Sequence, residues 1–358
     1  MKKRKQVSTV AKVVVLLVVC KLCLFVPFAP AQVDTLRIAS YNLLNFPSVG
    51  GVQRVDDFRI VMRYLKPDVL VVQELESQGG LDLFLNEVMN QTGATYAAAI
   101  FIDGPDTDSG LFYRPDRVSI QPVHAIPTDL RNIYQYTLTA AGQEFIIYSV
   151  HLKAGSLDGD QQRRLTETTA LRREIDSLPA GTNFMVVGDF NMRSSLEAAF
   201  SELADSTANA ALKLFDPVDQ LGLWHNNPVF AVLHTQSTRT TAFGEGATGG
   251  LDDRFDLILV SASLLTPGGM DILPATYRAV GNDGNHLNLA VNAGTNGAVP
   301  DSVADALHQA SDHLPVAADF ILANTTSVAS RDAAPNGFVL LQNYPNPFNP
   351  VTTISFSL

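Results

Sequence analysis

The chain is poor in cysteine and in positive charge. Its 358 residues include only two cysteines, Cys20 and Cys23, and 25 Lys and Arg against 36 Asp and Glu. Both cysteines lie in the first 31 residues, a segment that we expect to be removed from the mature chain. The mature chain would then have no disulfide, no thiolate nucleophile and no Cys-ligated zinc.

The first 31 residues have the layout of a secretory signal peptide. A basic start precedes two apolar runs, Val13–Cys20 and Leu22–Phe28, and small residues follow them. Lys21 separates the two runs, so each is well short of the ~20 apolar residues of a membrane span. We therefore expect export, cleavage after Ala31 and no stable membrane span. A lipoprotein site at Cys20 is a less favoured alternative.

Loss of this segment increases the charge imbalance. It removes six of the 25 basic residues, which leaves 19 against 36 acidic residues and a net charge of −17. Such a surface repels polyanions over long range, which argues against tight, salt-resistant DNA binding of the regulatory kind. It is compatible with catalysis on phosphodiesters, because carboxylates that hold a divalent cation form a locally positive site.

The rest of the chain divides into one large domain and a short tail. Residues 33–322 have the mixed texture of one α/β domain, and residues 323–337 are small and polar like a linker. Residues 338–358 contain the run LQNYPNPFNP and then alternating residues that predict the first strand of a β-type unit. This tail resembles the opening of the C-terminal sorting domain of type IX secretion in Gram-negative bacteria, truncated after its start. The resemblance implies contact with the secretion machinery and a secreted or cell-surface location.

Within the large domain, polar side chains follow the predicted apolar strands. Strands predicted at residues 69–72, 145–152 and 184–187 each end beside candidate catalytic residues. In α/β sheets, binding sites collect at the carboxyl ends of strands. The residues singled out in this way are Asn42, Glu74, His151, Asp189, Asn191, Asp256, Asp312 and His313.

The motifs that carry these residues occur in a characteristic order. They are SYN at 40–42, VVQE at 71–74, SVHL at 149–152, GDFN at 188–191, DRFD at 253–256 and SDHLP at 311–315. In this order they resemble the endonuclease/exonuclease/phosphatase superfamily, with pancreatic-type deoxyribonucleases among its members. The resemblance covers residues 36–320 and implies an α/β fold, a four-layer α-β-β-α sandwich of two mixed sheets.

The resemblance also implies a metal site. Glu74 with Asn42, and Asp312 as a further candidate, would hold a divalent cation against the substrate phosphate. Hard oxygen ligands suit Mg²⁺, with Mn²⁺ or Ca²⁺ as alternatives. Asp312 has a second possible role, which is to fix the tautomer of His313.

Catalytic roles are implied for five residues. His313 would be the general base, and Asp256 would orient one of the histidines. Asp189 and Asn191 would orient the attacking water and contact a non-bridging oxygen. His151 would serve as general acid or as phosphate ligand.

The favoured function is a secreted, metal-dependent phosphodiesterase, an endonuclease that hydrolyses extracellular DNA or RNA. A sphingomyelinase-type enzyme would need a protruding apolar loop, and a phosphomonoesterase would need several basic residues near its site. A non-catalytic surface binding protein is the least favoured alternative, because binding alone would not require the whole set of polar residues.

Three further regions have open or provisional interpretations. Arg254 could contact phosphate or form a structural ion pair. Residues 233–250, rich in Thr, Ser and Gly, could line the substrate groove, but a surface loop is favoured. His286, in another long loop, is expected to face solvent.

Overall fold

The computed structural model describes residues 34–205, 209–242, 244–323, 339–340 and 356–357. The expected signal peptide, the linker and most of the tail lie outside these residues. The described part of the tail is a short antiparallel pair, Val339–Leu340 with Phe356–Ser357. Within the described residues, no helix has the length and apolar character needed to cross a membrane.

Strands and helices are distributed along the whole of residues 34–323. The strands are β1 (Asp34–Phe46), β2 (Val69–Leu75), β3 (Ala97–Ala98), β4 (Asp108–Tyr113), β5 (Val118–Ile120), β6 (His124–Ile126), β7 (Ile133–Ala140), β8 (Gln143–His151), β9 (Phe184–Asp189), β10 (Leu214–Phe215), β11 (Asp256–Ser261), β12 (Met270–Ala279) and β13 (Val316–Leu322). The α-helices are α1 (Val55–Leu65), α2 (Gln78–Glu87), α3 (Asp158–Asp176), α4 (Ala198–Ala204) and α5 (Asp301–Ala310).

The strands form two mixed sheets. The first has the order β12-β13-β1-β2-β4-β3, and the second has the order β10-β11-β9-β8-β7-β5, with β6 beside β7. In each sheet one central pair is parallel, β1 with β2 and β8 with β9. One apolar core lies between the sheets, a second lies under α1, α2 and α5, and a third lies under α3 and α4. The predicted four-layer α-β-β-α sandwich is confirmed.

Helix α1 shows how the sequence produces these layers. Val55, Phe58, Met62 and Leu65 recur at spacings of three and four, and all four are buried against the first sheet. The helix ends at Lys66, which adopts a left-handed conformation with φ of 49° and donates its backbone N–H to the carbonyl of Met62.

The two parallel pairs determine where polar side chains meet. Asn42 lies opposite Gln73 in the first sheet, and His151 lies opposite Asp189 in the second. Asp256, at the start of the antiparallel neighbour β11, also lies opposite Asp189. The two central pairs therefore carry four of the eight polar residues that the sequence singled out, and the others lie on the adjoining strand or loops.

A buried arginine fixes the end of β1 beside this polar region. The Arg54 guanidinium donates to the carbonyls of Leu43 at 2.7 Å, Leu44 at 2.8 Å and Ala310 at 2.8 Å. It also lies 5.4 Å from the ring centroid of Phe58. Burial lowers the pKa of Arg54 to about 10. This side chain thus joins the end of β1 to the end of α5.

We predict that Arg54→Met lowers the free energy of unfolding by about 3 kcal/mol, because three buried carbonyls lose their donor. Urea denaturation followed by circular dichroism measures the change. Arg63→Met is the matched control, since Arg63 is exposed and donates its hydrogen bonds to the carbonyl of Gln91. An equal loss in both variants would contradict the role given to Arg54.

Candidate active site

Side chains from both sheets meet at the strand ends. The Asn42 amide, at the end part of β1, donates to Glu74 Oε1 at 2.9 Å and to Asp189 Oδ2 at 3.2 Å. Glu74 belongs to β2 and Asp189 to β9, so one amide group connects carboxylates from the two sheets. Glu74 Oε2 also accepts the backbone N–H of Asn45 at 2.8 Å.

His151 lies against the same two carboxylates. Its Nε2 is 3.7 Å from Glu74 Oε1 and 3.6 Å from Asp189 Oδ2. Its Nδ1 is buried and has no hydrogen-bond partner in the described part of the chain. Burial, reinforced by the positive charges of Arg131 and His313, lowers the pKa of His151 well below its usual range. Burial therefore favours the neutral form of the imidazole.

His313 forms a dyad with Asp256. Its Nδ1 donates to Asp256 Oδ2 at 2.7 Å, and its Nε2 lies 3.7 Å from Asp189 Oδ2. Burial alone would lower the pKa of His313, but the carboxylates of Asp256, Asp312 and Asp189 together raise it well above the usual range. Asp256 is thus the residue that orients His313, as the sequence predicted for one of the histidines.

Asp312 does not fix the tautomer of His313. Its Oδ2 accepts from the backbone N–H of Ala247 at 2.7 Å and from the Gln236 amide at 3.3 Å. Its Oδ1 is buried and has no hydrogen-bond partner among the described residues. The Nδ1 position of His313 is already occupied by Asp256, so of the two roles predicted for Asp312 only the metal-ligand role is compatible with the geometry.

Two residues of the site adopt left-handed backbone conformations. Glu74 has φ of 60° and Asn191 has φ of 52°. Such conformations are uncommon outside glycine and are concentrated at functional sites. Asn191 is held by two hydrogen bonds, from its backbone N–H to Asp189 Oδ1 at 2.9 Å and from its amide to the carbonyl of Leu152 at 3.1 Å.

The buried negative charge of the site fits a divalent cation. Burial raises the pKa of Glu74, and the nearby Asp312 raises it further. Burial also raises the pKa of Asp189, with contributions from Asp256 and Glu74. Ligand atoms of Glu74, His151 and Asp189 lie within 4.8 Å of one another, which is close enough for them to share one ion. The oxygen donors of this cluster, with Asn42 beside them, suit Mg²⁺ or Mn²⁺.

Gln236 is a residue of the site that the sequence did not single out. Its Nε2 lies 2.6 Å from His313 Nε2, so in the neutral form of His313 the amide donates to the imidazole. The surrounding stretch from Thr235 to Arg239 includes residues that are almost fully buried, notably Thr235, Ser237 and Thr238. The surface-loop interpretation was therefore wrong for this stretch, which lines the site. A polar stretch without periodicity gives no signal that distinguishes an exposed surface loop from a buried segment that lines a site.

The sequence analysis also missed a buried ion pair that connects the loops of the site. Arg164 donates to Glu197 at 2.8 Å and to the carbonyls of Lys153 at 2.7 Å and Gly155 at 2.8 Å. Glu197 in turn accepts the backbone N–H of Arg193 at 3.0 Å. The loop after His151 and the loop after Asn191 are therefore held to one another through α3.

Two other charged residues are structural. Arg254 is fully buried and donates to both carboxylate oxygens of Asp216, at 2.7 and 3.0 Å, so the ion-pair interpretation holds for it. The expectation that His286 faces solvent was wrong. Its ring is buried, with Nδ1 2.8 Å from Asp283 Oδ1 and Nε2 3.0 Å from the carbonyl oxygen of Ala293.

Comparisons with known proteins concern the family and the fold. The sequence model of the Endonuclease/Exonuclease/phosphatase family matches residues 39–313. The structure is similar to that of D. rerio TDP2 complexed with single-strand DNA product, with 18% identity and a TM-score of 0.51 over 80% of this chain and 99% of that chain. It is also similar to truncated Caenorhabditis elegans TDP2, with 14% identity and a TM-score of 0.51 over 80% and 97%. These likenesses concern the fold. No curated protein matches the sequence.

We predict that Asp256→Asn lowers the pKa of His313 in the metal-free chain, because the variant removes the carboxylate that pairs with Nδ1. Because the pKa of His313 is raised in the folded state, its protonation stabilises the fold fully below about pH 6.5. This contribution to stability is lost as the pH rises through the folded-state pKa. NMR titration of the imidazole in EDTA measures the shift. Asp319→Asn, at a carboxylate paired with Arg37 instead, should leave the titration of His313 unchanged, and an unchanged titration in Asp256→Asn would refute the assignment.

Proposed function

This chain belongs to the endonuclease/exonuclease/phosphatase family, and on that premise we propose that it is a divalent-metal-dependent phosphodiesterase acting on extracellular nucleic acid. Members of this family are phosphoric ester hydrolases. The observation that carries the proposal is the position of the Asp256–His313 dyad beside the Glu74, Asn42 and Asp189 cluster. His313 Nε2 lies 3.7 Å from Asp189 Oδ2, and Asp189 is itself a member of the cluster.

In the proposed mechanism His313 takes the proton of the attacking water at Nε2. A cation bound beside Asp189 and Asp312 would offset the carboxylates that raise the pKa of His313 and so favour the neutral, basic form. Asp256 keeps the other proton on Nδ1 and stabilises the imidazolium that forms. Asp189, which lies between His313 and His151, accepts a hydrogen bond from the water and orients it. A divalent cation held by Glu74 and Asp189, with Asp312 as a further ligand, would neutralise charge on the phosphoryl oxygens. Asn42 would join them as a ligand only through its Oδ1, which here accepts the backbone N–H of Leu44 at 2.9 Å.

The burial of His151 favours one of its two predicted roles. The lowered pKa of His151 disfavours the imidazolium form that a general acid must supply. Its buried position beside Glu74 and Asp189 supports a role as hydrogen-bond donor to a phosphoryl oxygen. Asn191, fixed by its bonds to Asp189 and Leu152, is the second candidate for that contact.

Nucleic acid is the proposed substrate class. A cavity of about 360 Å³ adjoins the site and is lined by Asn191, Gln236 and Asp312, among others. The relative from D. rerio has the same fold and was obtained with a single-strand DNA product, which supports the choice. The signal-like start and the sorting-domain-like tail support export to the surface or medium of a Gram-negative bacterium.

We expect the purified chain to release acid-soluble nucleotides from DNA or RNA with Mg²⁺ and not with EDTA. His313→Ala should lower the rate at least ~100-fold, since it removes the general base. His124→Ala, at an exposed histidine on β6, is the matched control and should keep the full rate. Sphingomyelin and inositol phosphates are assayed in parallel. If only sphingomyelin or only inositol phosphates were hydrolysed, that compound would take the place of nucleic acid as the proposed substrate. If none of the substrates were hydrolysed, a binding protein would be favoured.

We also expect Glu74→Gln to raise the Mg²⁺ concentration for half-maximal rate at least ~10-fold, because it removes a charged oxygen ligand. Glu76→Gln is the control, since the Glu76 carboxylate is half-buried and accepts hydrogen bonds from Ser48 instead of facing the cluster. The measurement is the rate as a function of Mg²⁺ concentration. Superimposable curves for Glu74→Gln and the wild-type chain would refute the metal-ligand role of Glu74.

A further inference from the structure

A chain of hydrogen-bonded side chains crosses the core between the two sheets, behind the catalytic cluster. Its members are almost fully buried, with Ser40, Gln73 and Ser109 on β1, β2 and β4 of the first sheet and Ser149 on β8 of the second. The Ser149 hydroxyl donates to the Ser109 hydroxyl at 2.8 Å and accepts from the Gln73 amide at 3.4 Å. Gln73 Oε1 in turn accepts from the Ser40 hydroxyl at 3.2 Å. Ser149 therefore links the second sheet to two strands of the first.

Strand periodicity places this polar chain one step behind the site. Side chains two residues apart on a strand share a face and lie about 7 Å from one another. Ser40 therefore lies behind Asn42 on β1, and Ser149 lies behind His151 on β8. Gln73 is the register partner of Asn42 across the parallel pair. Each sheet's half of the site thus adjoins a member of the polar chain.

The surroundings of the polar chain are apolar. The same faces of its four strands continue with residues of the core between the sheets, namely Ile38, Val71, Leu111 and Ile147. Apolar side chains can pack in several similar arrangements, whereas hydrogen bonds depend on distance and angle. Polar groups in such a core fix one arrangement when every member is satisfied, and the three hydroxyls and the amide all have partners. The polar chain therefore defines the relative position of the two sheets at this level.

The catalytic cluster needs such a constraint because it is assembled from both sheets. Asn42 and Glu74 belong to the first sheet, and His151 and Asp189 belong to the second. The direct bond between the two halves, from the Asn42 amide to Asp189, is long at 3.2 Å. A misplacement of about 1 Å among reacting groups is enough to cost ~100-fold in rate. Bonds outside the cluster must therefore hold its two halves in place.

We propose that Ser149, through its bonds to Ser109 and Gln73, is a positioning residue that keeps the two halves of the site where they can share one divalent cation. Ser149 contacts neither substrate nor metal in this role and acts through the relative placement of β2 and β8. The metal-binding consequence rests on the proposed function. The restriction of His151 relative to the first sheet does not.

The test compares two double variants that each remove a pair of hydrogen-bonded hydroxyls. Ser109→Ala/Ser149→Ala removes the inter-sheet pair. Ser261→Ala/Ser263→Ala is the matched control, because its hydroxyls are also 2.8 Å apart but lie at the end of β11 remote from Asp256. Removal of both partners of a hydrogen bond costs little stability, so the inter-sheet variant should fold.

The control separates positioning from a general loss of stability. Ser261 also accepts the backbone N–H of Phe184, and Ser263 also donates to the carbonyl of Thr182. The control variant therefore loses more hydrogen bonds than the hydroxyl pair alone, and its melting temperature should fall at least as far as that of the inter-sheet variant. Circular dichroism melting of the full chain measures both.

The first readout is Mn²⁺ binding to the full chain, measured by isothermal titration calorimetry. Loss of an outer partner of a metal site typically costs ~10–100-fold in affinity. We therefore expect Ser109→Ala/Ser149→Ala to weaken Mn²⁺ binding ~10-fold and Ser261→Ala/Ser263→Ala to keep the wild-type affinity, although it is the less stable of the two.

The second readout requires neither metal nor substrate. NMR relaxation dispersion of the His151 imidazole in EDTA reports motion on the μs–ms timescale. The profile should be flat in the wild-type chain and in the Ser261→Ala/Ser263→Ala control. Ser109→Ala/Ser149→Ala should introduce exchange at His151, because the imidazole is then no longer fixed relative to the first sheet.

The outcomes separate this proposal from the proposed function. Selective weakening of Mn²⁺ binding in the inter-sheet variant would support the positioning role. Wild-type affinity in that variant, or equal weakening in the control, would overturn it. If the wild-type chain bound no Mn²⁺, the proposed metal site would be refuted and the dispersion of His151 would decide. Exchange in the inter-sheet variant alone would then support the restraint by Ser149, and a flat profile would overturn it.

Discussion

Buried carboxylate charge at the junction of two sheets is the constraint on which the rest of the site depends. Glu74, Asp189, Asp256 and Asp312 come from four separate segments, and the last three are almost fully buried. Burial and the neighbouring like charges raise the pKa of Glu74 and that of Asp189, which means that the ionised forms of these two groups are destabilised. Their protein partners, chiefly the Asn42 amide and the His313 imidazole, offset part of the cost. A cation among them would offset the remainder, so the same arrangement that costs stability creates affinity for metal.

The fold supplies the positions that this arrangement needs. Parallel pairing brings the ends of β1 and β2 together in one sheet and those of β8 and β9 together in the other. Left-handed backbone at Glu74 and Asn191 turns side chains towards the junction, at a cost of the order of 1–3 kcal/mol each. Buried arginines compensate by fixing the surroundings. Arg54 joins β1 to α5, and Arg164 joins the two loops that follow His151 and Asn191.

The parts of this site that the sequence predicts are those set by local periodicity and by motif order. An apolar strand that ends in a polar residue predicted the placement of Glu74, His151 and Asp189 correctly, because strand ends in α/β sheets share one edge. The four-layer fold followed from the resemblance of the ordered motifs. The partner of His313 was predictable as Asp256, whereas the surroundings of Asp312 were not. They depend on Ala247 and Gln236, which approach only through tertiary folding.

Other errors have a related physical cause. His286 lies in an Asn- and Gly-rich loop, and composition of that kind predicts exposure. The loop is instead folded on itself, and Asp283 and the carbonyl of Ala293 satisfy the buried imidazole. Arg164 occupies a position on α3 where a charged residue normally faces solvent, but it is buried because Glu197 and two loop carbonyls compensate it. Burial of a charge depends on partners distant in the chain, so no local pattern reveals it.

The charge of the whole molecule bears on how such a site would operate. A net charge of −17 on the expected mature chain repels a polyanion that comes within about one Debye length of the surface, about 8–10 Å, and attraction arises only where cations are bound. Capture of nucleic acid would therefore be short-ranged and weak, with little residence on uncleaved polymer. That behaviour suits a hydrolase that must release its products and continue, and it is unfavourable for a protein whose task is to hold nucleic acid. The acidic surface is thus consistent with turnover, provided that the local positive charge is supplied by metal and not by Lys or Arg.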